Sequence, residues 1–425
     1  MRNRFVVIAA MLLISAAVGA EPVVSTYAVL RANAGMSVAE DGTLYVADFG
    51  NPNSLNGTSL YRIDPTGQIE LLSDRLLGPS GNLIESDGTI LQSEYRRNRI
   101  SRVSASGAVT LFTAVTGPDD MVKDDAGNLY IASCSFSGGM PGVYRVAAGS
   151  ATATPLAVSA DYGCVSGVTL DDQGQIYFSS VTNGRVYRRS SDGSVQVFAT
   201  MPAGAGHIKF AHDQFYVVVP QRNQIMTISR SGATSVLAGT GQFGNRDGVA
   251  SQAQFDSPFH IEFSADQRFL FVDGGRNGGS QDSPLRMIDL FPERGAPIGP
   301  GTTGAWFDPE QSGHGLFVET LADNRMLAWW FSFDADGNQA WFGGVGTYDG
   351  NLATIDFTQT SGGRFIPNFD PAQVVNTPWG TVTLRFSGCD QGLLEFVSAV
   401  PGYGSGSMSL TRLSRPLGLS CAPFL

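Results

Sequence analysis

The chain is short of charge, of lysine, of histidine and of long apolar runs, and each shortage narrows what it can be. Only 15% of its 425 residues are charged, and lysine occurs just twice, at Lys123 and Lys209. Arginine carries the remaining positive charge, and acidic residues outnumber basic ones, for a net charge of −11 and a pI of 4.8. Such a surface repels polyanions, which argues against nucleic acid and anionic membrane as partners. The four histidines (His207, His212, His260 and His314) and four cysteines form no cluster at zinc spacing. Neither a nucleophile elbow nor a phosphate-cradling glycine loop is present. Beyond the first 20 residues no apolar run approaches the ~20 needed for a membrane-spanning helix.

The opening segment reads as a secretory signal. Arg2 and Arg4 precede an apolar stretch from Phe5 to Ala17, and Val18-Gly-Ala20 supplies small residues before Glu21. The expectation is therefore an exported protein, periplasmic or extracellular, in a compartment where disulfides persist.

What the chain has in abundance is glycine, 52 residues, much of it in one recurring phrase. The phrase is clearest at Asp125-Ala-Gly-Asn-Leu-Tyr-Ile-Ala-Ser133, with variants starting at Asp41, Asp87 and Asp172 and degenerate copies at His212 and Ala265. An Asp-Gly turn between strands of alternating polarity is a strong hairpin signal, because glycine accepts the positive φ of such turns. Recurrence every ~40–50 residues points to a repeat architecture, and among all-β folds to a propeller. Most repeats hold four strand-like runs, the content of one propeller blade. In repeat four these are 167–171, 175–179, 184–189 and 195–198.

Repeat six runs out of chain after three strands, whereas residues 25–30 form a strand with no partner in repeat one. That strand is predicted to complete blade six and close the ring, since an open ring leaves two blade faces uncovered. Six blades are favoured over seven. Cys134 ends the second strand of repeat three and Cys164 precedes the first strand of repeat four, which brings them to one face of adjacent blades. The predicted pairs are Cys134–Cys164 and Cys389–Cys421.

The fold class expected is all-β: a six-bladed β-propeller followed by a small antiparallel β-barrel or curved sheet. The divisions are a signal peptide at 1–20, the propeller at 21–291, a Pro/Gly-rich linker at 292–304 and the C-terminal β-domain at 305–425. All five tryptophans fall in this last part, in seven or so strand-like runs. His314 and the aromatic run at 329–341 could form a sugar-stacking surface, but aromatics flanking a turn more often fill a small barrel, so that run is assigned to the core.

Residues 239–261, with Gly239, Gly241, Asp247, Gly248, Phe255, Pro258 and Ile261 in place, resemble an NHL repeat. The resemblance extends through the Gly78-Pro79 and Gly117-Pro118 leads to about 270 residues, and implies a propeller of a kind that hosts binding proteins, lactonases, lyases and scaffolds. Six-bladed gluconolactonase-type propellers are similar and hold calcium through Glu, Asn and Asp at inner positions. At the corresponding leads this chain has Ser80, Asp119-Asp120 and Ser166. Streptogramin-lyase-like propellers use histidines on that face, with which His207 and His260 are compatible. The Trp306-Phe-Asp-Pro309, Ser312-Gly-His-Gly315 and Trp329–Trp341 stretches resemble an uncharacterised module of exported gammaproteobacterial proteins, which implies no chemistry.

Propeller geometry brings the starts of first strands and the ends of second strands to one mouth of the axis. Those positions are Asp48, Ser80, Glu94, Asp119, Asp120, Ser166, His207, His260 and Asp273. Ser80, Glu94, Asp120, His207, His260 and Asp273 are the candidate ligand-binding residues, and Asp120, His207 and His260 the candidate holders of a divalent cation such as calcium. The first expectation is an exported binding or interaction protein whose partner is a small molecule, a saccharide or a protein. The alternative is a metal-assisted hydrolase or lyase working at the same mouth.

Overall fold

A computed structural model describes residues 20–30, 33–50, 54–65, 67–134, 138–274, 283–417 and 419. Most of the expected signal peptide and Cys421 of the second expected disulfide lie outside these residues. Five four-stranded antiparallel sheets and one five-stranded sheet make the six blades. Their innermost strands are Asn33–Val38, Pro79–Ile84, Pro118–Lys123, Val165–Leu170, Ile208–Ala211 and Ile261–Phe263. Each touches the next, and the last touches the first, so the ring is closed. Val, Ile, Leu and Phe from facing sheets fill the space between blades, as at Val143, Val168 and Phe178 between blades three and four.

The Asp-Gly phrase does what its chemistry predicts. In blade three the Gly127 N–H donates to the Asp124 carbonyl (2.9 Å) and the Asp124 carboxylate accepts the Asn128 N–H (2.8 Å), with Gly127 at φ +84°. These turns lie at one end of the axis and set the pairing of each first strand with its second.

Blade six is completed as expected. Val23–Leu30 pairs antiparallel with Ser283–Asp289, from Val23 opposite Asp289 to Leu30 opposite Ser283. A fifth strand not foreseen, Gly248–Val249, pairs on its outer side. It belongs to the NHL-like stretch, whose Asp247 accepts the Thr26 N–H (3.1 Å) and pairs with the fully buried Arg286 (2.6 Å). The glycine-rich stretch thus fastens the closing strand from outside.

Between blades three and four, Cys134 and Cys164 form the expected disulfide, 30 residues apart in the chain.

The C-terminal part is a closed eight-stranded antiparallel barrel. Seven strands match the sequence runs; the eighth, Gly304–Phe307, comes from the end of the Pro/Gly-rich stretch and closes the barrel by pairing Trp306 with Arg412. Strand alternation sorts the aromatics. Trp306, Trp330 and Trp379 are buried with Phe342 and Phe386 in the interior. Trp329 (36% exposed) and Trp341 (63%) face outward, against the expectation that the aromatic run beside the turn is core.

Candidate functional site

The polar residues of the mouth owe their aim to irregularities in the inner strands. In blade three Pro118 pairs with Ser133 and Met121 with Ile131, so two residues, Asp119 and Asp120, stand opposite one. This is a β-bulge, a device that redirects side chains. The same shift occurs in blades one and two, between Asn33 and Met36 and between Pro79 and Asn82. Close approach of the inner strands also requires glycine: a Cβ on Gly81 would lie 2.4 Å from the Asp119 carbonyl oxygen.

Asp119, Ser80 and the two histidines meet at the axis. The Ser80 hydroxyl bonds to Asp119 Oδ1 and lies 3.2 Å from His260 Nε2. Asp119 Oδ1 is 3.8 Å from both His207 Nε2 and His260 Nε2, and the imidazole centroids are 4.0 Å apart. All three residues are at least 96% buried. Behind each ring stands a carboxylate. Asp273 Oδ2 is 2.9 Å from His260 Nδ1, while its Oδ1 accepts the Phe259 N–H (2.6 Å). Asp120 Oδ2 is 3.6 Å from His207 Nδ1. A carboxylate only accepts, so His260 Nδ1 donates to Asp273, and Nε2 faces Ser80 and the axis.

Asp120 looks the other way along the axis. It accepts the Val168 N–H (3.2 Å) and faces Lys209 Nζ (3.7 Å), which pairs with Glu262 at 2.8 Å. Burial would lower the Lys209 pKa, but Asp120 and Glu262 outweigh it and hold it well above the ordinary value. His207 is shifted oppositely: burial lowers its pKa against the pull of Asp120, with His260 adding to the fall.

The structure therefore brings Ser80, Asp120, His207, His260 and Asp273 together as expected, but gives the third inward-facing donor as Asp119 and not Asp120. Glu94 does not join them. It is fully buried between Arg97 (2.7 Å) and Arg99 (2.7 Å) and accepts from Ser101 (2.5 Å) and the Leu77 N–H (2.9 Å). Ser166 donates to the Ala205 carbonyl (3.2 Å), and Asp48 caps the Gly50 N–H (2.8 Å); both serve the scaffold.

Above the cluster opens a cleft of about 430 Å³, with Asp119 on its floor. Phe49, Leu55, Tyr95, Val181, Phe259 and the Cys134–Cys164 disulfide form its walls. Sequence reading missed these walls. Phe49 and Phe259 directly neighbour Asp48 and His260, so their place in the chain was a usable signal. A larger cavity, about 790 Å³, lies at the opposite end among the Asp-Gly turns. Its lysines are already paired, Lys209 with Glu262 and Lys123 with Glu85.

No family model matches the chain. A virginiamycin B lyase from Nocardia farcinica is 29% identical over 203 residues, 47% of this chain and 67% of that protein. Among solved structures, an auxiliary nutrient-binding protein from Bacteroides thetaiotaomicron superposes with a TM-score of 0.53 at 14% identity, over 63% of this chain and 76% of the other. A calcium-binding regucalcin from Agrobacterium tumefaciens gives 0.50 at 16%, over 64% and 94%. These likenesses agree with a propeller fold for 63–64% of the chain. At such identities the structural likeness speaks for the fold alone. Among the described residues no helix is long and apolar enough to cross a membrane.

Proposed function

We propose that this is an exported protein that binds a small organic molecule in the cleft above Asp119, His207 and His260. The observation that carries the reading is one chamber of about 430 Å³ with largely apolar walls and, on its floor, Asp119, the carboxylate that lies 3.8 Å from both His207 and His260. Walls of this kind supply burial, and a few fixed polar groups supply orientation. The larger cavity at the other end lacks that division, because charged side chains, several of them paired, are interspersed with apolar ones such as Leu83, Val122 and Phe263 along its lining.

A second reading, transformation of the ligand by a lyase, is favoured by the partial identity to a virginiamycin B lyase together with the buried His260–Asp273 pair. A carboxylate that fixes an imidazole leaves Nε2 ready to take a proton from a bound molecule.

A thermal-shift screen of small organic compounds, virginiamycin B among them, tests the first reading. A ligand present at 100 times its Kd stabilises the fold by about 2.7 kcal/mol. Compounds that shift the wild type are expected to lose their effect on Val181→Trp, which fills the cleft. Hits that act equally on both proteins, or no hits at all, reject the reading. For the lyase, chromatography follows conversion of virginiamycin B, with loss in His260→Gln expected; no product from the wild type rejects it.

A further inference from the structure

The likeness to gluconolactonase-type and calcium-binding propellers implies calcium at the axis, yet the side chains there do not suit it. Calcium takes six to eight oxygen ligands. Here the converging donors are two imidazole nitrogens and one carboxylate, with all ligand atoms within 4.8 Å of one another. Imidazole with carboxylate suits zinc and its transition-metal neighbours.

Two further observations point to a cation in this position. His207 Nε2, in a residue only 2% exposed, makes no hydrogen bond among the described residues. Its 3.8 Å separation from Asp119 Oδ1 is too long for one. A buried nitrogen lone pair aimed at a carboxylate and a second imidazole is costly unless something lies between them. In addition, Asp273 is hydrogen-bonded behind His260 Nδ1 at 2.9 Å, and the Asp120 carboxylate lies behind His207 Nδ1 at 3.6 Å, just beyond hydrogen-bond reach. Ligating histidines are characteristically oriented in this way, through the nitrogen that does not bind the metal.

We propose that Asp119, His207 and His260 hold one divalent transition-metal ion of zinc type, through the carboxylate and both Nε2 atoms, and that calcium is not the resident ion. Bonds of ~2.0–2.1 Å place tetrahedral ligand atoms about 3.4 Å apart, so the 3.8 Å contacts to Asp119 close by a few tenths of an ångström. Asp120 and Asp273 are positioning residues. Three protein ligands leave a position for water or for an oxygen of a bound molecule, and Asp119 lies on the cleft floor. This last point alone rests on the proposed binding function. With both Nε2 atoms on the ion, His260 takes no proton, so a lyase working through a free imidazole would be most active in chelator-treated protein.

The test strips the full-length protein with chelator and reloads it with zinc, cobalt or calcium alone, reading stoichiometry by equilibrium dialysis and cobalt by its visible absorption. One zinc per chain is expected, with intense cobalt bands and no calcium. Asp119→Asn, His207→Asn and His260→Asn each weaken zinc binding by more than about 100-fold, and Asp120→Asn by about 10–100-fold. His212→Asn, remote from the cluster, leaves binding unchanged. Thermal melts of the metal-free variants establish that each is folded. Substoichiometric zinc, zinc indifferent to the three variants, or calcium bound as tightly overturns the proposal. Zinc bound without any ligand hit leaves it standing and removes the binding function; ligand hits without a metal do the reverse.

Discussion

A chain lacking residues 21–30 is expected to lose the cooperative thermal transition of its propeller. The missing strand, Val23–Leu30, lies between Ser283–Asp289 and Gly248–Val249 and is paired on both sides. Val24 (1% exposed) and Leu30 (5%) are core residues, and Tyr27 packs edge-on against Phe271 at 5.1 Å. Burial of two such aliphatic side chains contributes about 3–6 kcal/mol. A domain's whole stability is about 5–15 kcal/mol, so the loss is comparable with the total. Truncation also strips Asp247 of its Thr26 contacts and leaves two strand edges open to intermolecular pairing. Circular dichroism melts and size exclusion decide the matter. A sharp native-like transition in a monomeric truncated protein would show that the ring does not depend on this strand.

The second large effect separates scaffold from site. Glu94→Ala is expected to destabilise the protein by about 3 kcal/mol while leaving cleft and metal binding intact. Removing one partner of a buried pair costs about 3–5 kcal/mol because the other charge is stranded. The lower end applies here, since the Arg97 and Arg99 side chains keep 37% and 27% of their exposure. Ser101 and the Leu77 N–H lose their acceptor as well. Urea unfolding gives the first quantity, zinc dialysis and the compound screen the second. Asp119→Asn should show the opposite signature, with binding lost and stability little changed. If Glu94→Ala abolished binding at unchanged stability, Glu94 would belong to the site.

The contrast between Glu94 and Asp119 shows where sequence reasoning reaches its limit. Both sit at the mouth end of an inner hairpin, and propeller geometry brings both to the same face. Which way each points depends on details of pairing. Asp119 and Asp120 occupy the extra position of a bulge, so ordinary alternation does not tell which carboxylate faces the histidines. Glu94 is claimed by two arginines a few residues on, at Arg97 and Arg99. That signal was present in the sequence and went unused.

The blades were legible because the Asp-Gly turn is a local device that needs no tertiary context. The closing strand was legible because blade six lacked a strand and the region before blade one had one to spare. The fifth strand, Gly248–Val249, was hidden in a stretch recognised only by resemblance. In the barrel, Trp329 and Trp330 are adjacent on one strand, and neighbouring strand residues point to opposite faces. One of them had to face outward, so assigning the whole aromatic run to the core overlooked a constraint already in the sequence.

The cleft above Asp119, His207 and His260 is the proposed working face of the propeller. A crystal structure of the protein with the strongest compound from the thermal-shift screen tests this most directly. The predicted result is ligand density between Phe49 and Phe259, touching the floor at Asp119. Density instead among Lys123, Lys209 and Glu262, in the cavity at the opposite end of the axis, would contradict it.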